Sequence, residues 1–107
     1  MAGELETILN DMKAKGVGGA IVRVDGVQVA STIALNELSS GMLASVANVS
    51  DAMMRRMDDR QKEIEVAFDG LILIMIPLKG HVFCGMVKDR EEKKIVAEYA
   101  QKAAAHL

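Results

Sequence analysis

Aromatic residues are nearly absent from this chain. Its 107 residues include two phenylalanines, one tyrosine and no tryptophan. Proteins that bind single-stranded nucleic acid stack the bases on aromatic side chains that lie between basic residues. Phe68, Phe83 and Tyr99 are not interleaved with lysine or arginine in this way, and the net charge of −2 shows no basic excess. We therefore expect no nucleic-acid partner.

Cysteine and long apolar runs are also scarce. The single cysteine, Cys84, rules out an intrachain disulfide framework, and its apolar neighbours predict a buried, unreactive thiol. The longest apolar run, Leu71–Leu78, is far shorter than the roughly 20 residues that cross a bilayer. Glu4 and Glu6 stand where a signal peptide would carry basic residues before an apolar run. The composition predicts a cytoplasmic protein without membrane insertion.

Catalytic and ligand-binding motifs are missing as well. Lys15–Gly19 looks like a phosphate loop, but such loops follow a strand and open a helix, and here the order is reversed. His81 and His106 have no cysteine or carboxylate at metal-ligand spacing. The serines lack a plausible histidine base, and solvated charge or a helix dipole accounts for the paired carboxylates. The chain is predicted to be no enzyme and to need no cofactor or metal.

The chain does contain hydrophobic periodicity, and this predicts its elements. Helical spacing of apolar residues predicts a first helix that ends at Gly16. Two β-branched strands follow over Ala20–Val24 and Val27–Ser31, and Asp25-Gly26 suits a tight type I′ turn between them. A long middle helix is predicted over about Leu38–Asp58. The first helix is expected to bury Leu5, Ile8, Leu9 and Met12.

Three more strands and a helix are predicted after the middle helix. Ile64–Phe68 alternates as a half-exposed strand does, and Asp69-Gly70 predicts a hairpin to the next strand. That strand, Leu71–Ile76, is apolar on both faces, as a central strand is, and Pro77 is expected to end it. His81–Val87 follows as the fifth strand. The last helix is predicted to bury Ile95, Val96, Tyr99 and Ala103.

The order of these elements predicts the fold class. Asp89 and Glu92 resemble a capping box at the start of the last helix. The order is then helix, two strands, helix, three strands, helix, with links between strands that are short enough for hairpins. This order predicts an α+β fold, in which a five-stranded antiparallel sheet lies between helices in three α/β/α layers. The length fits a single domain over residues 1–107.

The predicted middle helix carries more apolar surface than one sheet can bury. A helix packed on a sheet needs an apolar stripe of roughly 100°, whereas this helix is apolar over nearly half its circumference. Methionine at helical spacing is often ordinary core packing, yet its flexible side chain also suits surfaces that meet another chain. The stripe and its flank consist of Leu38, Met42, Leu43, Val46, Ala47, Val49, Met53, Met54 and Met57. The surplus predicts a partner against this helix, so the function is expected to lie in assembly.

The order of elements and two segments of the sequence resemble the roadblock/dynein light-chain family. In that family a glycine-rich helix stop leads into an apolar strand, an Asp-Gly turn and a second strand that ends in Ala-Ser. This chain matches that pattern with Gly16–Val24, Asp25-Gly26, Val27 and Val29–Ser31. Ile64–Ile76, with its central Asp-Gly, resembles the family's third and fourth strands. The likeness covers nearly the whole chain.

The resemblance implies a profilin-like fold, with the middle helix on one face of the sheet and the first and last helices on the other. It also implies a homodimer, or a pair with another roadblock chain, formed through the middle helix and the third strand. The interface would include Met42, Val46, Val49, Met53, Met54, Met57, Ile64 and Val66. Many family members bind small Ras-like GTPases and regulate or scaffold them without hydrolysing nucleotide. We expect the same class of partner here.

The polar strip of the middle helix is the expected docking site for that GTPase. It consists of Asn48, Asp51, Arg55 and Arg56, which would remain accessible once the apolar stripe is buried. Arginine is enriched at binding hot spots and makes directional contacts to carboxylates. Arg55 and Arg56 are therefore the residues expected to contribute most.

The third strand contains two acidic residues that a homodimer must accommodate. In a symmetric pair, most registers would bring Glu63 or Glu65 near a carboxylate of the other chain, and like charges across strands are destabilising. Arg60 and Lys62 could balance them, or the partner could be a different roadblock chain. Alternatively, the glutamates could protect an unpaired edge.

Two other functions fit the same fold class. A small-molecule-sensing domain would need polar groups that point into an apolar pocket, and the candidates for that role are Ser31, Thr32 and Tyr99. The chain could also be a structural subunit of a motor or of a membrane-associated complex.

Overall fold

The computed structural model describes residues 2–33, 44–48, 51–52, 56, 63–68 and 70–107. Within them, helices and strands with defined bounds are α1 (Ala2–Ala14), β1 (Gly18–Arg23), β2 (Gln28–Ser31), β3 (Ile64–Phe68), β4 (Leu71–Leu78), β5 (His81–Val87) and α2 (Lys93–Ala104). Residues 44–48, 51–52 and 56 are helical and fall within the predicted middle helix. The strands form one antiparallel sheet in the order β2-β1-β5-β4-β3. No helix in the described part of the chain has the length and apolar character that a membrane span requires.

Helices α1 and α2 cover one face of the sheet. Leu5, Leu9 and Met12 recur at helical spacing along α1 and are buried, as predicted. The helix ends where Gly16 takes a φ of 90°, a left-handed conformation that suits glycine. On the same face α2 buries Val96, Tyr99, Ala100 and Ala103. The larger core joins these side chains to Ile21, Ile74, Phe83 and Val87 of the sheet.

Two glycines let these helices approach the sheet closely. Gly19 of β1 and Gly85 of β5 are paired across the strands. A Cβ atom on Gly19 would collide with the side chain of Met12, and one on Gly85 would lie 2.6 Å from Cγ2 of Val96. Gly19 and Gly85 therefore permit close packing of α1 and α2 against the sheet.

The opposite face of the sheet carries a smaller core under the middle helix. Ala47 packs there with Ala20, Met75, Val82 and Cys84 of the sheet. Burial raises the pKa of the Cys84 thiol to about 12, so the thiol stays protonated and unreactive. Helices thus cover both faces, and the predicted three-layer α/β/α arrangement with a five-stranded antiparallel sheet is confirmed.

The turn between β1 and β2 differs from the predicted type I′ turn. The Gly26 N–H donates to the Arg23 carbonyl at 2.9 Å, and the Arg23 N–H donates to the Val27 carbonyl at 2.8 Å. Val24 and Asp25 are therefore the centre of the turn, and Gly26 follows with a φ of 96°. This is a three-residue loop in which the glycine comes after the turn rather than within it. The hairpin is in the predicted place, but its turn type is corrected.

Pro77 does not end β4, contrary to the prediction. The strand continues to Leu78, and Pro77 lies opposite Val82 of β5. On the other side the ladder with β3 begins only at the pair Ile64–Met75, so the described strand has one neighbour at Pro77. A proline is tolerated in such a place because its missing N–H need not cost a ladder hydrogen bond.

The predicted capping box before α2 is present in a slightly changed form. Asp89 Oδ1 accepts from the Glu92 N–H at 3.1 Å, and Glu92 Oε1 accepts from the Lys88 N–H at 2.8 Å. These reciprocal bonds satisfy donors near the start of the helix. Helix α2 begins directly afterwards at Lys93, whose position is thereby fixed.

Candidate interaction surface

The free edge of β3 is the first component of the candidate site. In the described part of the chain β3 pairs with β4 on one side and with no strand on the other. An edge strand presents unpaired N–H and C=O groups to which another strand can bind. Its register with β4 runs without interruption from Ile64–Met75 to Phe68–Leu71. The edge is therefore regular enough to accept a further strand.

Strand β3 places its apolar side chains on the face of the smaller core. Ile64 is paired with Met75 and packs against that core, and Val66 and Phe68 alternate onto the same face. Ile64 and Val66 are half-buried, whereas Phe68 is 56% exposed and Leu71 beside it is 37% exposed. The predicted interface residues Ile64 and Val66 thus share a face with Phe68. Phe68 was not among the predicted interface residues, although the apolar–polar alternation of the strand extends to it.

The middle helix provides the second component on the same side of the sheet. Ala44 and Ala47 are 3% and 4% exposed, so small residues form the buried side of residues 44–48 of this helix. Val46 is 46% exposed and, at about 100° per residue, lies nearly opposite Ala44. It is the described member of the predicted apolar stripe, and it is not buried by the protein's own sheet. The other predicted interface residues of this helix, Met42, Val49, Met53, Met54 and Met57, lie outside the described residues.

The predicted polar strip lies beside the β1–β2 hairpin. The side-chain amide of Asn48 donates to the carbonyl oxygen of Val24 at 2.9 Å, which ties the helix to the hairpin turn. Asp51 is half-buried and Arg56 is exposed. Arg55 lies outside the described residues. The sequence did not predict the intramolecular bond of Asn48, and docking of a partner on this strip stays a prediction.

Lys93, at the start of α2, contacts both acidic residues near the edge. Its ammonium group bonds to Glu63 and lies 3.8 Å from a carboxylate oxygen of Glu65. The hydrogen bond to Glu63 and the charges of both glutamates raise the pKa of Lys93. Arg60 and Lys62, the residues predicted to balance the charges of these glutamates, lie outside the described residues. Lys93 was not predicted for this role, because a charge supplied from a distant part of the sequence leaves no local signal.

The hydroxyl groups proposed for a small-molecule site serve the protein's own structure. Thr32 Oγ1 accepts from the Gly19 N–H at 3.0 Å and donates to the Gly19 carbonyl oxygen at 3.2 Å. Ser31 Oγ forms similar bonds with the backbone of Ile33. Tyr99 is 2% exposed within the larger core. These three side chains therefore give no support to a small-molecule site.

An open depression of about 540 Å³ lies between the start of α1 and the end of the chain. Its lining residues are Gly3, Glu4, Thr7, Ile8 and His106. Here His106 Nδ1 lies 2.6 Å from a Glu4 carboxylate oxygen, and the Thr7 hydroxyl donates to the Gly3 carbonyl at 2.8 Å. A ligand site instead directs convergent polar groups at its ligand. Because these polar groups pair with each other, the depression does not favour a sensing function.

Comparisons with known proteins agree with the fold. No protein-family model and no curated protein matches the sequence. A roadblock/LC7 domain from Streptomyces avermitilis superposes with a TM-score of 0.78 at 9% identity, over 94% of this chain and 95% of that one. An MglB structure with a tetrameric arrangement gives 0.81 at 14% identity, over 97% and 87%. Profilin II from Acanthamoeba castellanii gives 0.70 at 14% identity, over 94% and 97%. The chain has the profilin-like fold of roadblock/LC7 domains, as the resemblance implied.

Proposed function

We propose that this chain is a dimeric, non-enzymatic interaction module that binds a small Ras-like GTPase and regulates or scaffolds it. One observation carries the proposal: within the described residues β3 has a free edge and an exposed Phe68, on the same side of the sheet as the exposed Val46 of the middle helix. Exposed apolar patches mark protein–protein contact surfaces, and the sequence resembles the roadblock family.

A second copy of the chain is the partner that this surface fits best. A two-fold axis perpendicular to the sheet brings two β3 edges together in antiparallel pairing, with their apolar faces on the same side. Each large apolar side chain that becomes fully buried would contribute roughly 1.5–3 kcal/mol. The MglB structure with a tetrameric arrangement is a protein of similar fold that self-associates. A pair with another roadblock chain is the alternative outcome.

The GTPase partner is supported by the roadblock resemblance rather than by a nucleotide site in this chain. Lys15–Gly19 follows α1 and leads into β1, which is the reverse of a phosphate loop. An effect on GTP turnover would therefore arise from contacts that stabilise one arrangement of the partner's switch loops. Arg56 is the exposed, described arginine of the polar strip, and we assign it the first role in docking.

The mass of the purified protein in solution tests the dimer. Light scattering at micromolar concentration should give about twice the chain mass of 11.5 kDa. A mass of one chain at all concentrations would contradict the proposed assembly.

Co-purification tests the GTPase partner. Ras-like GTPases loaded with GDP or with a non-hydrolysable GTP analogue should be retained to different extents, whereas the chain alone should neither bind nor hydrolyse GTP. Arg56→Glu should weaken GTPase binding at least about tenfold, a loss of about 1.4 kcal/mol, and leave the dimer intact. Lys13→Glu, at an exposed lysine of α1 on the opposite face of the sheet, is the control for charge reversal. A dimer that retains no GTPase would favour a purely structural role.

A further inference from the structure

Lys93 occupies a position that its own helix does not favour. It is the first residue of α2, and the first turn of that helix contains no acidic residue. Because the N-terminus of a helix carries a partial positive charge, a lysine is less favourable there than an acidic residue. A residue that opposes a local preference requires compensation from elsewhere in the fold. Here the compensation comes from Glu63 and Glu65.

These glutamates give the edge of the sheet an acidic face. Glu65 is paired with Ile74, a residue of the larger core, so its side chain lies on the face that α1 and α2 cover. Glu63 directly precedes β3 and shares the ammonium group of Lys93 with Glu65. The side chains of Glu63 and Glu65 are 37% and 30% exposed, so water screens their charges only in part. The edge is therefore apolar on one face and acidic on the other.

Symmetry brings these charges together when two copies pair through β3. A two-fold axis perpendicular to the sheet keeps the two faces separate, so apolar residues meet apolar residues of the copy. On the other face, most registers then bring Glu63 or Glu65 near a carboxylate of the copy. Like charges opposite each other across strands are destabilising. Each chain, however, supplies its own Lys93 beside this row of carboxylates.

We propose that Lys93 determines which chains the edge can accept, because it offsets the repulsion between glutamates and so makes β3 compatible with a second copy of this chain. The inference rests on the proposed function, since it requires that two copies associate through β3. It adds the charge arrangement that admits an identical chain at this edge. A chain with an acidic edge and no compensating cation would be repelled.

Charge reversal at Lys93 tests this inference. Lys93→Glu should raise the dissociation constant of the dimer at least about tenfold in sedimentation experiments, with the circular dichroism of a folded protein. Lys94→Glu makes the same charge change in the same helical turn, on an exposed side chain, and should change the constant less than about threefold. Raising the salt from about 0.1 M to about 1 M shortens the Debye length from roughly 10 Å to 3 Å. Most of the Lys93→Glu loss should then be recovered.

The outcomes separate this inference from the proposed function. A folded Lys93→Glu protein that dimerises like the wild type overturns the inference and leaves the dimer in place. A loss that high salt does not recover also overturns it, because altered packing then accounts for the loss. A monomeric wild type overturns the dimer and the inference with it. Should Lys93→Glu not fold, Lys93→Gln removes the charge alone, and the same readouts apply with a smaller loss.

Discussion

The two edges of the sheet are protected to different degrees. Strand β2 has four residues, and a register shift between Ile21 and Val22 interrupts its pairing with β1. Beyond its end, Thr32 bonds to Gly19 through both its backbone and its side chain. Strand β3 instead pairs regularly over five residues and exposes Phe68. Short and irregular strands are a common protection against unwanted strand pairing.

The difference indicates which edge the fold leaves open for a partner. Protection at β2 keeps that edge from pairing with further chains, whereas the same protection at β3 would prevent the proposed dimer. When two copies of a chain with one open edge pair through that edge about a two-fold axis, no open edge is left for a third copy. The proposed dimer would then be closed and would not extend into a fibre.

Of the substitutions that test this difference between the edges, Phe68→Asp should weaken the dimer most. A carboxylate in an apolar contact is costly, so the dimer dissociation constant should rise about 30-fold or more, which corresponds to about 2 kcal/mol. Val27→Asp is the control beside β2, because Val27 is 49% exposed and should leave the dimer unchanged. Sedimentation measures both variants. Equal effects of the two would remove the distinction between the edges.

Val46→Asp should have the next largest effect, because it tests whether the helix surface belongs to the same interface as β3. We expect the dissociation constant to rise about tenfold. Ser45→Asp is its control, on an exposed neighbour that is turned by about 100° around the helix. Dimer affinity that is unchanged by Val46→Asp would confine the interface to the strand.

Thr32→Val should weaken the attachment of β2 to β1 at a moderate cost. The substitution removes the hydroxyl that bonds to both the N–H and the carbonyl of Gly19. Loss of these bonds should lower the free energy of unfolding by about 1–2 kcal/mol. Urea denaturation measures this, and Thr32→Ser, which retains a hydroxyl, should lose less. A valine variant as stable as the wild type would show that these bonds do not contribute to holding β2 against β1.

Asp25→Asn should have the smallest effect, and its size should depend on pH. The N–H of Val27 donates to Asp25 Oδ1 at 3.2 Å, and this bond, aided by the Arg23 guanidinium, lowers the pKa of Asp25. The carboxylate therefore contributes fully above its unfolded pKa of about 3.9, and the contribution is lost as the pH falls through the lowered folded value. The wild type should exceed the variant in stability at neutral pH, and the difference should shrink in acid. A difference that is the same at both pH values would contradict this.

Hydrophobic periodicity predicted which face of each element is buried, but it did not predict which strands lie next to each other in the sheet. The apolar alternation of Ile64–Phe68 placed the correct side chains on one face, because the two-residue period follows directly from strand geometry. Nothing local indicates that β1 pairs with β5, since that contact joins distant parts of the chain. The prediction that Pro77 ends β4 was wrong for a similar reason. The rule for proline depends on whether the strand has a neighbour on each side, and the local sequence does not contain that information.

The candidate interaction surface could likewise be predicted only in part. The resemblance to the roadblock family implied Ile64 and Val66, and helical spacing placed Val46 on the apolar stripe, where the structure shows it exposed. The bond from Asn48 to the hairpin and the contact of Lys93 with the strand edge could not be predicted. Each depends on two elements meeting in space, and a polar side chain carries no periodic signal of its partner.

In the proposed dimer, Gly85 would give the interior of one subunit an influence on its partner. The absence of a side chain lets Val96 rest directly on β5, where a Cβ atom would lie 2.6 Å from Cγ2 of Val96. Lys93 stands about one helical turn before Val96, so the depth of α2 at Gly85 also sets how far the ammonium reaches toward Glu63. An alanine at Gly85 would lift this end of the helix and withdraw the ammonium from the edge. Natural selection for affinity between subunits would then act on a residue that no partner touches.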